Sequence, residues 1–404
     1  MKAKMVFGLF ILVLSVAGCI TEYNPVLPEY KRNVLFVDGN IIANSDVIFH
    51  ISQSFPLHVV IPQGEHFVDN ATVSIIGSNG YKSLPAKNQG KGTYMMSVGE
   101  LDDDIEYGLQ IEHDGEIYQS ALSKPLHTPE IDNVSWEQPV KYGPVIFRVS
   151  TYDKTEGAKF FAWNYVEDWE ISVVNKTRMF LDTMGYYVNR SLFYMTNSVP
   201  FQYCWKKNES NIFVFGSTES LSENRIINKQ IYQCNDPSDD RFSDLYSFTA
   251  IQRTISKGAY EYRQNIKKLN EEMGGLFTPQ PTEIVGNISC VTDPAKKIMG
   301  YVDVSKNITQ KRIFIKPFQI TRRWPPEICR LISNEEIYEI IRENKMTFGD
   351  LYEAGYRPAG EEYTLTNDDP PQMFPYEWSF ARCTDCTAKG GTKAKPDFWP
   401  NDHE

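Results

Sequence analysis

Histidine is scarce in this chain, and the usual constellations of catalysis are missing. Its six histidines, His50, His58, His66, His113, His127 and His403, include no HExxH-type pair, so no zinc-protease helix is encoded. There is no GxSxG elbow and no glycine loop for cradling phosphate, which removes common signatures of esterases and nucleotide enzymes. Basic residues are outnumbered, 41 Lys and Arg against 52 Asp and Glu, for a net charge of −11. A surface of that sign argues against nucleic acid and against a basic face pressed on anionic lipid. No cysteine lies between Ile20 and Tyr203, and no tryptophan precedes Trp136. Beyond the leader, no apolar run approaches the ~20 residues that a membrane-spanning helix needs.

The start of the chain, "MKAKMVFGLFILVLSVAGC", places Lys2 and Lys4 ahead of an apolar run from Met5 to Leu14, then small residues up to Cys19. Charge, length and small residues make it a cleaved signal peptide (1–18) rather than a span. Val16-Ala17-Gly18-Cys19 resembles the bacterial lipobox, which implies a diacylglycerol on the Cys19 sulfur and anchoring through the lipid. Residues 19–32 then read as a short polar and proline-rich tether.

Residues 33–130 read as a β-sandwich. Short alternating runs such as "VLFVDGNI", "DVIFHISQ" and "GTYMMSV" are separated by turns, with Asn79-Gly80 and Asp114-Gly115 as hairpin turns. Gly92-Thr93-Tyr94 with Tyr107-Gly108-Leu109-Gln110-Ile111 resembles the immunoglobulin- and transthyretin-like, carboxypeptidase-regulatory-like sandwich, in which tyrosines pack between strands. Prolines around "LHTPEIDNVSWEQP" break the pattern and set a boundary between Leu126 and Pro139. Residues 131–404 read as a larger β-rich domain with a few helices. Ala259, Tyr262, Ile266, Leu269 and Met273 recur at helical spacing after Ser256, which predicts a helix near 257–273. Gly274 and Gly275 would end it. The box Ser333-Asn334-Glu335-Glu336 predicts a second helix, 334–344.

Aromatic residues supply the candidate binding surface. Trp163 and Trp169 lie six apart, on one face of an extended strand, and are candidate ligand-facing rings, with core packing as the alternative. The acidic groups Asp102-Asp103-Asp104 and Asp236 with Asp239-Asp240 lack EF-hand spacing and read as solvated turns rather than calcium sites. No metal or other cofactor is expected. Asp182-Thr183-Met184 resembles a bacterial O-glycosylation motif, which makes Thr183 a candidate modification site.

The lipobox, "VDGNI", "FAWNYVEDWEI", "PFQYCW" and "AYEYRQNIKKLNEEMGGLFTPQPTEIVGNI" followed by "GYVDVS" resemble, in that order, the Bacteroidota lipoproteins grouped as domain of unknown function family 4249. The ending "CTDCTAKGGTKAKPDFWP" resembles that family's usual ending. The resemblance implies an outer-membrane lipoprotein, on its periplasmic or its outer face, that partners a TonB-dependent receptor in nutrient uptake. It implies binding rather than chemistry and carries over no catalytic residue. A surface hydrolase acting on glycan or peptide, and a structural envelope protein or adhesin, are the alternatives.

Six cysteines remain beyond Cys19: Cys204, Cys234, Cys290, Cys329, Cys383 and Cys386. In an exported chain an even number reads as disulfides. That reading outweighs a zinc site built from Cys290, Cys329, Cys383 and Cys386, and also a redox-active CxxC. Cys204 with Cys234 is the expected local pair, with Cys383 and Cys386 reaching back separately to Cys290 and Cys329. The expected result is a C-terminal tail stapled to the second domain, with Phe398 and Trp399 packing as apolar plugs.

Overall fold

In the strand Ser45–Gln53, Val47, Phe49 and Ile51 are buried and alternate with exposed neighbours, the period that gives a sheet one dry face. The computed structural model describes residues 34–54, 66–181, 192–194, 202–272, 284–323, 329–365 and 373–400. In it the protein is mainly β, as expected. Ser45–Gln53 lies between Leu35–Asp38 and Thr93–Val98 in a five-stranded sheet, which packs on a four-stranded sheet centred on Glu116–Ser120 and Tyr107–His113. Asp114 and Gly115 both take positive φ in the two-residue turn between those central strands, a geometry that Asp-Gly adopts at low cost. Tyr94 and Tyr107 are both buried. The Tyr94 hydroxyl donates to the Val68 carbonyl at 2.8 Å and accepts the Ala71 N–H at 2.9 Å.

This sandwich is not contiguous in sequence. Ile298–Gly300 adds to it in parallel beside Leu35–Asp38, and Ile288–Cys290 pairs antiparallel with Glu116–Ser120. Ile288, Cys290, Ile298, Val302 and Val304 belong to its hydrophobic core. The backbone passes so close that a Cβ on Gly286 would stand 1.7 Å from the Gly300 carbonyl oxygen, so both the return path and its glycines are constrained. A single boundary near 130 therefore needs correcting, because the chain leaves the first sandwich, builds the second and comes back. Three-residue strands carry too little periodicity to reveal their partner.

The second sandwich is organised by the long strand Phe160–Ser172. On one side it pairs with Tyr203–Glu209 and Val214–Ser217, on the other with Tyr246–Thr254, and Thr309–Ile315 follows. Facing it is a three-stranded sheet of Arg225–Cys234, Val145–Tyr152 and Ile131–Glu137. Stacked rings, among them Phe147 on Phe248 at 4.1 Å, fill the space between. The helix Lys257–Glu272 starts where Ser256 Oγ accepts the Ala259 N–H at 3.1 Å, and it buries Ala259 and Tyr262. The expected stop at Gly274-Gly275 lies outside the described residues. A smaller core around Ile332, Ile337, Leu351 and Trp378 joins the helix Asn334–Asn344, capped by Ser333, to the strands Tyr356–Leu365 and Met373–Phe380.

Two disulfides fix the chain's end. Cys204 is bonded to Cys386, and Cys329 to Cys383. The staple exists, but the expected pairing needs correcting: Cys204 bonds Cys386 rather than Cys234, of the expected partners Cys290 and Cys329 only Cys329 takes a tail cysteine, Cys383, and Cys234 and Cys290 are buried free thiols. Cys290 cannot serve the tail because it sits in the core of the first sandwich, where its sulfur accepts the Asp293 N–H at 3.3 Å. Cys234 instead donates to the Asp236 carbonyl at 3.3 Å, and burial pushes its thiol up to about 11.

Candidate functional site

Along Phe160–Ser172 alternate residues face opposite sides of the sheet. Trp163, Glu167 and Trp169 share one parity; Val166 and Asp168 share the other. On the first side Trp163 is fully buried, and its indole N–H donates to Gln252 Oε1 at 2.7 Å. It is a core residue and not a ligand-facing ring, a correction that follows from the facing sheet closing over it. Glu167 is also fully buried. It accepts from the Tyr246 hydroxyl at 2.8 Å, from Asn208 Nδ2 at 2.8 Å and from Arg241 Nη1 at 3.2 Å. Arg241 in turn donates to the Tyr232 hydroxyl at 2.7 Å and pairs with Asp239. Such a closed network stabilises a core and leaves nothing over for a ligand.

The other side is different. By register, Val166 lies opposite Thr249, Thr249 opposite Arg312, and Asp168 opposite Lys207, giving a floor of mixed polarity. The C-terminal tail crosses it. Thr392 exchanges backbone hydrogen bonds with Trp205, at 2.8 and 2.9 Å. Trp399 is buried edge-on against Phe314, ring centroids 5.6 Å apart, and donates to Glu170 Oε2 at 3.4 Å. Phe398 lies under the Arg312 guanidinium, 3.2 Å from the ring centroid. The expected plugs are therefore in place. Between floor and tail remains a pocket of about 660 Å³, which Trp169 also borders, a size within the ~300–1,000 Å³ range of ligand sites.

Two charges define this pocket. Asp168 is only 4% exposed yet makes no hydrogen bond or ion pair with any described residue. Burial pushes its carboxyl above the ordinary range, while the charges of Lys207 and Arg312 pull the other way. Arg312 donates through Nε to Thr249 Oγ1 at 2.8 Å and has no carboxylate partner among the described residues. Desolvation lowers its pKa, and Asp168 is the opposing charge. Lys206 and Lys207 are already paired, with Asp240 at 2.6 Å and with Glu209. A buried carboxylate is costly unless partnered, so Asp168 marks the place where a ligand donor would be best received. Among the described residues that line the pocket there is no histidine, cysteine or serine and one carboxylate, Asp168. That set of described side chains, one carboxylate with lysine, arginine, threonine and aromatic neighbours, can bind and orient a molecule.

The remaining sequence candidates fall elsewhere. Cys19 and Thr183 lie outside the described residues. Asp102 accepts the Asp104 N–H at 2.9 Å, and Asp103 lies 3.2 Å from His127 and 3.3 Å from Lys306. Asp239 caps the turn at Asp240–Phe242, so both acidic groups are engaged locally. A second pocket of about 780 Å³ lies beside Pro125–Asp132 and Tyr152–Ala158. There Asp153 is already used by Thr155 and Ala158. Sequence reasoning missed Asp168. The available signal was the run of Glu167, Asp168 and Glu170 inside an otherwise apolar strand, since charges so placed need either partners or a purpose.

No curated protein matches this chain. Among solved structures it is similar to a two fibronectin type-III domain segment from chicken tenascin, at 10% identity over 55% of this chain and 92% of the other, with a TM-score of 0.16, which adds nothing to the fold already described. A match over residues 20–311 is to the family described as Domain of unknown function (DUF4249). It spans the first sandwich, including its late strands, and most of the second, and the chain belongs to that family.

Proposed function

We propose that the protein is a lipid-anchored binding subunit of the outer membrane, held by an acylated Cys19, that hands its cargo to a TonB-dependent receptor. The pocket beneath the tail is the cargo site. One observation carries the binding half: a carboxylate that is 4% exposed, without a partner among the described residues and open to a pocket. The anchor and the receptor are supported by the leader ending in Val16-Ala17-Gly18-Cys19 and by the family resemblance. A hydrolase acting on glycan would use two carboxylates, and the described residues of this pocket's lining supply one.

Affinity purification of the tagged, lipidated protein from membranes tests the partnership. A TonB-dependent receptor is expected in the eluate, and its absence would reject that half of the proposal. Labelling cells with an alkyne fatty acid is expected to mark the wild type and not Cys19→Ala. Protease added to intact cells then tells on which face of the membrane the body lies.

A further inference from the structure

We infer that the cargo of this pocket is a short zwitterionic peptide of two or three residues, with its ammonium on Asp168 and its carboxylate on Arg312. This rests on the pocket being the binding site proposed above.

The argument is one of unmet charge. Asp168 and Arg312 carry opposite charges, line the same pocket and influence each other without forming an ion pair. They stand on the strands Phe160–Ser172 and Thr309–Ile315, with Tyr246–Thr254 between them. Two strand spacings of ~4.8 Å and a two-residue offset along the strand put the two backbones ~12 Å apart, a span that three extended residues at ~3.3–3.6 Å each bridge once the two side chains reach in. A ligand of one sign would meet a like charge at one end. A ligand with both signs at that spacing would satisfy both. Arg312 is held by Thr249 and by the Phe398 ring, which fixes its fork for a bidentate carboxylate. Thr249 stands between the two charges on the intervening strand, with Val166 beside Asp168 and Ile251 one step beyond Arg312, and the tail adds Ala394 and Pro396 to the lining. Val166, Ile251, Ala394 and Pro396 are apolar surfaces suited to small peptide side chains.

The test uses the full lipidated chain in detergent micelles and calorimetric titration with trialanine, N-acetyl-trialanine, trialanine amide and maltotriose. Trialanine is expected to bind, and blocking either terminus should weaken it at least tenfold. Asp168→Asn should weaken trialanine at least tenfold while leaving the N-acetylated peptide unchanged. Arg312→Gln should do the same toward the amide. Because each variant is paired with the ligand that lacks the matching charge, a general loss of folding would show as loss for both ligands and would not be mistaken for the charge-specific effect. Blocked peptides binding as well as trialanine would overturn the inference, as would no peptide binding at ~10 mM, where a Kd of ~1 mM is nearly saturated. Maltotriose binding that is lost in Asp168→Asn would keep the pocket and discard the peptide. Receptor co-purification without peptide binding would discard the peptide alone.

Discussion

Glu167 and Asp168 are adjacent, both carboxylates and both nearly removed from water, yet they live in opposite circumstances. Glu167 faces the inter-sheet core, where a guanidinium, a phenol and an amide converge on it. Asp168 faces the tail, where no hydrogen-bond donor of the described residues reaches it. A strand turns successive residues to opposite sides, so one peptide unit separates a carboxylate that serves folding from one that is available for binding. Burial alone does not distinguish them; the partners do.

The comparison can be broken most forcefully at Glu167. Glu167→Ala leaves Arg241, Tyr246 and Asn208 without their shared acceptor, and should cost about 3–5 kcal/mol, read as a fall in the denaturant midpoint of the second sandwich. Cutting the tail's tie with Cys386→Ser should cost about 2–4 kcal/mol and loosen the roof of the pocket, so that trialanine affinity falls along with stability. A variant that lost stability but kept full affinity would show that the tail is not part of the site.

Asp168→Asn should act in the opposite sense, raising stability by up to about 1 kcal/mol while binding is lost. Because the folded-state pKa of Asp168 is raised, the folded protein takes up this proton more readily than the unfolded chain. Its cost is present at neutral pH and is relieved as the pH falls through that raised value toward ~3.9. The wild type should therefore gain stability relative to Asp168→Asn on mild acidification, measured as the difference between their melting curves against pH. Lys207, Arg312 and Glu209 are the charges that modulate it. The smallest perturbation probes Cys234 beside the Glu167 network. With its thiol pushed up to about 11 by burial, it should resist iodoacetamide at pH 8 until the protein is denatured. A peptide map joining Cys234 to Cys204 would contradict the disulfides described above.

Elements whose signals are local were readable in advance. Ser256 and Ser333 start helices where cap and apolar spacing coincide, and Asp114-Gly115 turns a hairpin. Trp163 and Trp169 do share a parity, but parity does not say which side of the sheet will be covered, or by what. Trp163 is enclosed by the facing sheet, while the pocket beside Asp168 depends on Pro396 and Phe398, more than two hundred residues away along the chain. Disulfide choice was equally non-local: Cys204 bypassed Cys234 for Cys386, with a sequence separation of 182. Local spacing is silent about contacts of that range.

The late return of Ile288–Gly300 to the first sandwich has a kinetic consequence. A strand cannot pair before it exists, and contacts of large sequence separation form slowly because the loop between them must be closed. The strands that emerge first thus wait with open sheet edges until Ile288–Ser305 follows, by which point every strand of the second sandwich except Thr309–Ile315 has already emerged. Unpaired edges of that kind are prone to aggregate, so holding the first sandwich apart until residue 305 arrives is part of what the cell must do to deliver this protein.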